Sequence, residues 1–387
     1  MFLLSVPLLI QAQTSNVSTH KNRFWKNSSL ESMYQNGSVF GTDDFLRGNN
    51  LHSEQINSFQ AFSLKLATQT TGDELWEQLY DYPNWGIGIN ITDFHDQKEL
   101  GTPVAIYGFI NAPLRRWNRL TFNSELGFGA AFHWKSFNPI TNQYNVAIGA
   151  NESFFIDAGL NFRYESSTKV DLIAGFSLTH FSNGALKTPN RGINTIAPQI
   201  SLKYNFYDRP VFHTREVPEY TKENEWLIST FVGMKNVVFD SVNVDIIEKY
   251  EGVFFTVFGI STTYNRQISY KSKIGIGTTA SYDGSVNAQV AIDDNELDPV
   301  DGPLKDKIQL SIYPSYELVL NKMSLVFLPS FYIYRKRLKN LSPFFYQRVG
   351  LKYQVTNKFF IGLNLRAYQF HVSDFIEWNV GYRIKWK

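Results

Sequence analysis

The chain of 387 residues contains no cysteine, which excludes disulfide bonds, thiolate metal sites and cysteine nucleophiles. Charged residues are scarce at 19%, the formal net charge is only +2, and no basic block is long enough to follow a phosphate backbone. Nucleic acid is therefore not an expected partner. The sequence also lacks the run of about 20 apolar residues that a transmembrane helix requires.

What the sequence does contain is aromatic residues, with 32 Phe and 21 Tyr, and a two-residue alternation of apolar and polar positions. Such alternation is typical of β-strands, because successive side chains of a strand point to opposite faces. In the last run, the even positions from Ile376 to Trp386 are apolar, and the odd positions from Glu377 to Lys387 are polar or glycine. We count about sixteen such runs, most of them long enough to cross a bilayer at a tilt.

The connections between these runs alternate in length. Short ones, such as 164–168 and 356–358, alternate with long ones, such as 135–152 and 183–194. This pattern predicts an all-β fold, a transmembrane antiparallel β-barrel of the outer-membrane type. The alternative is a soluble β-sandwich or lipocalin-like barrel with its apolar face inside. The mixture of Gly, Ser, Asn, Arg and Asp on the opposite faces favours a wet lumen and hence the membrane barrel.

Three segments are predicted along the chain. Residues 1–12 form a short hydrophobic stretch ending at Ala12, which resembles a secretory signal without its basic start; a buried apolar strand is the alternative. Residues 30–207 and 208–387 carry the strands, and a polar connector with Pro210 and Pro218 separates them. We expect all strands to share one barrel of about sixteen strands. An eight-stranded barrel followed by a second β module is the alternative.

One strand carries residues with a chemical signature. The apolar face of the run 170–182 continues into His180 and Ser182, which lie two positions apart on that face. A histidine within reach of a serine is the minimum arrangement for a base-activated hydroxyl nucleophile. The plainer interpretation is that both residues hydrogen-bond to lipid headgroups at the membrane interface.

The stretch Thr179-His-Phe-Ser-Asn-Gly184, followed by Pro189-Asn190 and Gly192-Ile-Asn194, resembles the active-site signature of the lipid A 3-O-deacylase (PagL) family, whose Bacteroidetes branch is labelled acyloxyacyl hydrolase. The resemblance extends from about residue 82 to residue 206. It implies an outer-membrane serine esterase that hydrolyses an ester-linked acyl chain of lipid A in lipopolysaccharide, at the outer leaflet. The resemblance implies no cofactor and no metal.

Carried over by position, the resemblance makes Ser182 the nucleophile and His180 the base. The third member falls at Asn194, where the better-known family members have Glu. An asparagine can accept a hydrogen bond from the imidazole and fix its tautomer, but it carries no charge to stabilise the imidazolium. This departure leaves open a catalytically weakened member of the family. The expected strand number and polar lumen leave open an outer-membrane channel.

The register of the hairpin bears on the same residues. A hairpin centred near residue 188 would place Ser182 opposite Asn194 and make His180 and Asn194 a diagonal cross-strand pair. An oxyanion hole is expected from the side chain of Asn183 or Asn190, or from the backbone N–H groups of Asn183 and Gly184.

A further acidic cluster lies in a long loop. It would bind Ca²⁺, join the cation layer of lipopolysaccharide, or simply be a solvated loop. Its members are Asp293, Asp294, Glu296, Asp298 and Asp301.

Overall fold

The computed structural model describes residues 26–238, 244–339, 344–368 and 372–387. These residues form sixteen β-strands, all paired antiparallel, and four short helices. None of the described helices is long and apolar enough to cross a membrane. The stretch interpreted as a signal, residues 1–12, lies outside the described residues.

The first eight strands form a closed barrel in chain order, in which β1 pairs with both β2 and β8. A short helix, α1, follows β2. The elements are β1 (Ser28–Val39), β2 (Ser58–Gln69), α1 (Leu75–Leu79), β3 (Asn84–Asp93), β4 (Gly101–Arg116), β5 (Leu120–Trp134), β6 (Ser153–Glu165), β7 (Val170–Ser182) and β8 (Ile193–Asn205).

The last eight strands form a second closed barrel, which β16 completes by pairing with β9. Three short helices lie in its loops. The elements are β9 (Asn224–Lys235), α2 (Val244–Tyr250), β10 (Phe255–Gln267), β11 (Ser272–Asp283), α3 (Val286–Asp293), α4 (Leu304–Lys307), β12 (Ile308–Leu320), β13 (Met323–Tyr334), β14 (Phe345–Gln354), β15 (Phe359–Tyr368) and β16 (Val372–Trp386).

The predicted number of strands is confirmed, but the preference for one large barrel is wrong. The polar connector, residues 206–223, joins the two closed barrels along the chain and packs against the first of them. Arg209 pairs with Asp171 at 2.5 Å, and the rings of Phe212 and Tyr82 stack with centroids 4.3 Å apart. Alternation within a strand is the same in either arrangement, because it reports the face of each side chain and not its partner strand.

Both barrels have the polarity expected for an apolar surrounding. On β7, for example, outward-facing Leu178 is 52% exposed, whereas inward-facing Ser177 is almost fully buried. An exposed apolar belt over a buried polar interior is the reverse of a soluble barrel. The prediction of a membrane barrel, with its apolar face outward, is therefore confirmed.

Charged side chains fill the interior of each barrel, as is usual when only eight strands close. In each barrel a buried lysine lies between two buried glutamates. These networks, together with buried aromatic side chains, line the interior of each barrel. Two separate closures of eight strands each give no support to a sixteen-stranded pore. The glutamates are Glu31 and Glu125 around Lys65, and Glu225 and Glu317 around Lys273.

A small hydrophobic core lies inside the outer end of the first barrel, where the long loops meet. Phe181, which points inward from β7, packs edge-on against Trp134 and Phe155, with ring centroids 5.2 and 5.4 Å away. Phe94 stacks on Trp134 and also meets Phe181 edge-on, with ring centroids 5.7 and 6.0 Å away. This core supports the wall of the barrel directly behind the two residues that flank Phe181.

Candidate active site

The hairpin of β7 and β8 brings the three predicted catalytic residues together. His180 lies directly opposite Asn194, and Leu178 lies opposite Ile196. The expected diagonal register is thus wrong by two residues, because the hairpin is centred on residue 187 and not 188. A shift of two residues preserves the face of every side chain, so His180, Ser182 and Asn194 still point outward together.

A continuous hydrogen-bonded relay joins these side chains. Nδ1 of His180 lies 2.6 Å from Oδ1 of Asn194, and Nε2 of His180 lies 2.8 Å from Oγ of Ser182. Since the amide oxygen can only accept, Nδ1 carries the ring proton and Nε2 presents its lone pair to the serine hydroxyl. This tautomer is the one that general-base removal of the hydroxyl proton requires.

The serine is sheltered, although it belongs to the outward face. Ser182 is 4% exposed, compared with 52% for Leu178 on the same strand and face. Its neighbour Phe181 anchors the strand from inside through the aromatic core. The hydroxyl therefore lies in a nearly dry environment with a fixed backbone, where hydrogen bonds and dipoles act more strongly than in water.

The loop after Ser182 is organised by two asparagines. The backbone N–H of Asn183 donates to Oδ1 of Asn190 at 2.9 Å, and Nδ2 of Asn183 donates to the carbonyl of Lys187 at 2.7 Å. Both kinds of donor on Asn183 are therefore engaged. Nδ2 of Asn190 is buried and has no partner among the described residues, which leaves it as a free donor beside the relay.

Two glycines allow the loop backbone to turn sharply at the end of β7 and just before β8. Gly184 has φ +63° and Gly192 has φ +72°, values that favour glycine. A Cβ on Gly192 would lie 3.2 Å from Cε1 of His180 and 3.3 Å from Cβ of Ser182. The backbone at residue 192 thus touches the relay, and a larger residue there would push against it.

A second loop, residues 135–152, supports the hairpin loop from behind. The N–H groups of Arg191 and Gly192 donate to the carbonyls of Val146 and Ala147. Sequence reasoning missed this support and the anchoring role of Phe181. Every residue type has a backbone carbonyl, so the sequence does not reveal these contacts. The large aromatic side chain between His180 and Ser182, in contrast, was a signal for an inward-pointing anchor.

The acidic loop residues do not converge on one point. Asp294 pairs with Lys339 at 2.6 Å and Asp298 with Lys249 at 2.5 Å. Asp301 pairs with Lys307 at 3.3 Å. Their carboxylates are thus used in separate ion pairs within the described residues, which favours the interpretation as a solvated, charged loop.

Both barrels match known family models. Residues 60–205 match the model described as lipid A 3-O-deacylase (PagL), and residues 224–386 match the model described as acyloxyacyl hydrolase, C-terminal domain. The chain belongs to the PagL family. The first match runs from β2 to the end of β8 and the second from β9 to β16, so each match lies within one barrel. The family relationship therefore extends beyond the residues 82–206 on which the sequence resemblance rests.

Solved structures give weaker likenesses. A crystal structure of the outer membrane enzyme PagL aligns at 13% identity over 45% of this chain and 97% of that chain, with a TM-score of 0.29. A mutant of the Rh. blastica porin aligns at 12% identity over 92% of this chain and 99% of that chain, with a TM-score of 0.17. No curated protein matches the chain. The assignment to the PagL family therefore depends on the family models.

Proposed function

We propose that this PagL-family protein is an outer-membrane serine esterase that hydrolyses an ester-linked acyl chain of lipid A. The observation that carries the proposal is the relay from Asn194 through His180 to Ser182, with contacts of 2.6 and 2.8 Å. These residues face the apolar surroundings at the outer end of β7, where the ester carbonyls of a lipid in the outer leaflet would lie. The acyl chain then rests against the apolar wall and needs little extraction from the membrane.

In the acylation step, Oγ of Ser182 attacks the ester carbonyl carbon, and Nε2 of His180 takes the hydroxyl proton. Oδ1 of Asn194 holds the Nδ1 proton and keeps the imidazole oriented. The tetrahedral intermediate collapses when His180 returns the proton to the leaving sugar hydroxyl. The products of this step are an acyl-serine and the lipid A alcohol.

The oxyanion of the intermediate needs a hydrogen-bond donor that is in place before the reaction. The free Nδ2 of Asn190 is the best supported donor, because Oδ1 of the same amide is fixed by the backbone N–H of Asn183. A donor that is already held in place in a dry environment needs little reorganisation free energy when charge develops on the carbonyl oxygen. Asn183 and Gly184 then shape the loop that presents Asn190.

In the deacylation step, a water molecule attacks the acyl-serine with His180 as the base, and the free fatty acid leaves. The imidazolium that forms in each step faces an amide at Asn194, where the better-known family members have Glu. An amide fixes the tautomer but does not balance the positive charge. We therefore expect a slower enzyme than its carboxylate-bearing relatives, with the same order of steps.

The test is mass spectrometry of lipid A from a bacterial host that expresses the protein. Wild-type protein should remove one acyl chain, while Ser182→Ala and His180→Ala, inserted at the same level, should leave lipid A intact. Ser177→Ala is a matched control, since Ser177 lies on the same strand but points inward. Intact lipid A with the wild-type protein, or deacylation by Ser182→Ala, would refute the proposal.

A further inference from the structure

One outward-facing residue of the second barrel is buried although its neighbours on the same face are not. Ile376 of β16 is 4% exposed, whereas Trp378 and Val380, which follow on that face, are 62% and 60% exposed. The three residues share one face because side chains of a strand alternate. Something outside the second barrel must therefore cover Ile376.

The first barrel supplies this cover at its catalytic loop. A Cβ on Gly184 would lie 2.8 Å from Cδ1 of Ile376 and 3.3 Å from Cε2 of Phe154. Gly184 is two residues from Ser182, and Phe154 lies directly opposite Ser182 on β6. Ile376 therefore fills the position that a side chain at residue 184 would occupy, at the edge of the catalytic relay.

Contacts at the short-turn ends also join the two barrels. Oη of Tyr80 donates to the carbonyl of Val319 at 2.7 Å, and Nδ2 of Asn321 donates to a carboxylate oxygen of Glu74 at 3.1 Å. The barrels are thus joined both at the catalytic end and at the opposite end. The contact of Ile376 with Gly184 belongs to a wider association between the barrels.

Exposed apolar side chains lie on both barrels near the contact of Ile376 with Gly184. Leu178 and Phe176 on β7 are 52% and 61% exposed, and Trp378 is similarly exposed on β16. Trp378 lies about 7 Å along the strand from Ile376, at the usual rise of a β-strand. Both strands present apolar side chains to the same hydrocarbon layer, beginning beside Ser182.

We infer that the acyl chain lies along this apolar surface and that Ile376 and Trp378 of the second barrel contact the chain and set the preference for its length. The inference rests on the proposed esterase function of Ser182. A chain whose ester carbonyl is at Ser182 must pass the edge formed by Ile376 before it runs along the wall. The short acyl group of a water-soluble ester ends before it reaches Trp378, and a long one does not.

Chain-length preference provides the kinetic test. The full-length protein is assayed in detergent with p-nitrophenyl butyrate and p-nitrophenyl myristate. Trp378→Ala should lower kcat/KM for myristate about fivefold, because methylene contacts are lost, and change kcat/KM for butyrate less than about twofold. Ile376→Ala, at the edge that both acyl groups pass, should lower kcat/KM for myristate more than for butyrate. Ile276→Ala is the matched control, since Ile276 is an exposed, outward-facing residue of β11, and it should alter neither. An equal loss for both esters would show a merely structural role and overturn the inference.

A second measurement does not depend on turnover. Full-length Ser182→Ala protein is photo-crosslinked to a myristoyl ester that carries a diazirine at the end of its chain, and the adducts are mapped. Adducts should appear in residues 372–382 and not in residues 272–283. Adducts absent from β16 would overturn the inference.

If wild-type protein hydrolyses both esters but the substitutions leave the preference unchanged, the inference fails and the esterase proposal stands. If lipid A stays intact in cells that express the wild-type protein, the esterase proposal fails, while the mapped adducts still decide whether an acyl chain lies against β16.

Discussion

His180 and Asn194 face each other directly across β7 and β8, with Nδ1 of the imidazole 2.6 Å from Oδ1 of the amide. We predict that Asn194→Ala lowers kcat about 10- to 100-fold, because the imidazole loses the acceptor that fixes its tautomer. Asn194→Glu, and the isosteric Asn194→Asp, should keep or raise kcat by adding a charge that stabilises the imidazolium. The measurement is single-turnover hydrolysis of a fatty-acyl ester; turnover by Asn194→Ala at the wild-type rate would remove Asn194 from the relay.

Asn190 combines two separable roles in one amide. We predict that Asn190→Asp lowers kcat about 100-fold while KM changes little, because the acceptor for the Asn183 N–H remains but the donor to the oxyanion is lost and a negative charge opposes it. Lys187→Ala serves as control, since only the backbone carbonyl of Lys187 is used in the loop. Full activity of Asn190→Asp would mean that the oxyanion donor is elsewhere.

The backbone at Gly192 leaves no room for a side chain next to the relay. We predict that Gly192→Ala lowers kcat at least about tenfold, because φ +72° is unfavourable for alanine and the new Cβ would press on His180 and Ser182. Gly108→Ala is the control: Gly108 lies on β4, and the nearest atom to its Cβ would be 3.9 Å away. The assay is esterase kinetics on variants that still show heat-modifiable migration; equal activity of both variants would contradict the argument.

Lys65 lies between two buried carboxylates inside the first barrel, at 2.8 Å from Glu31 and 2.9 Å from Glu125. We predict that Lys65→Met lowers the free energy of unfolding by about 3–5 kcal/mol, because two carboxylates are left buried without a cation. Adding Glu31→Gln and Glu125→Gln to the same chain should recover much of the loss. Urea unfolding in detergent measures both; a Lys65→Met protein as stable as wild type would contradict the prediction.

The closed pairing of β1 with β8 predicts that the first barrel folds alone. A chain that ends at residue 223, after the connector, should insert and show heat-modifiable migration, since it leaves no open strand edge in hydrocarbon. It should hydrolyse p-nitrophenyl butyrate, but lose the preference for long chains that the second barrel provides. A fragment that is degraded and fails to insert would show that the first barrel depends on the second.

The sequence predicted the strands and their faces well, because alternation is a local property of each strand. It also placed His180, Ser182 and Asn194 on one outward face, since even positions stay on one side under any even shift of register. The register itself was wrong by two residues. It depends on a loop with positive φ at Gly184, Ala185 and Gly192, and the combined effect of three such residues cannot be read from their identities.

The closure of the barrels and the role of Ile376 could not be predicted. Closure depends on pairs far apart in the chain, such as Glu31 with Lys203, and both residues would also suit the interior of a single large barrel. Ile376 has the same apolar character as the other outward residues of β16. Only its neighbour in space, Gly184 of the other barrel, distinguishes it.

The even number of strands in each barrel has a topological consequence. Antiparallel strands reverse direction at every turn, so eight of them return the chain to the side of the membrane on which it started. The connector of residues 206–223 therefore never has to cross hydrocarbon, and β9 enters with the same polarity as β1. Loss or gain of a single strand in the first barrel would invert the second, exchange its long loops with its short turns, and carry Ile376 to the membrane side opposite Ser182.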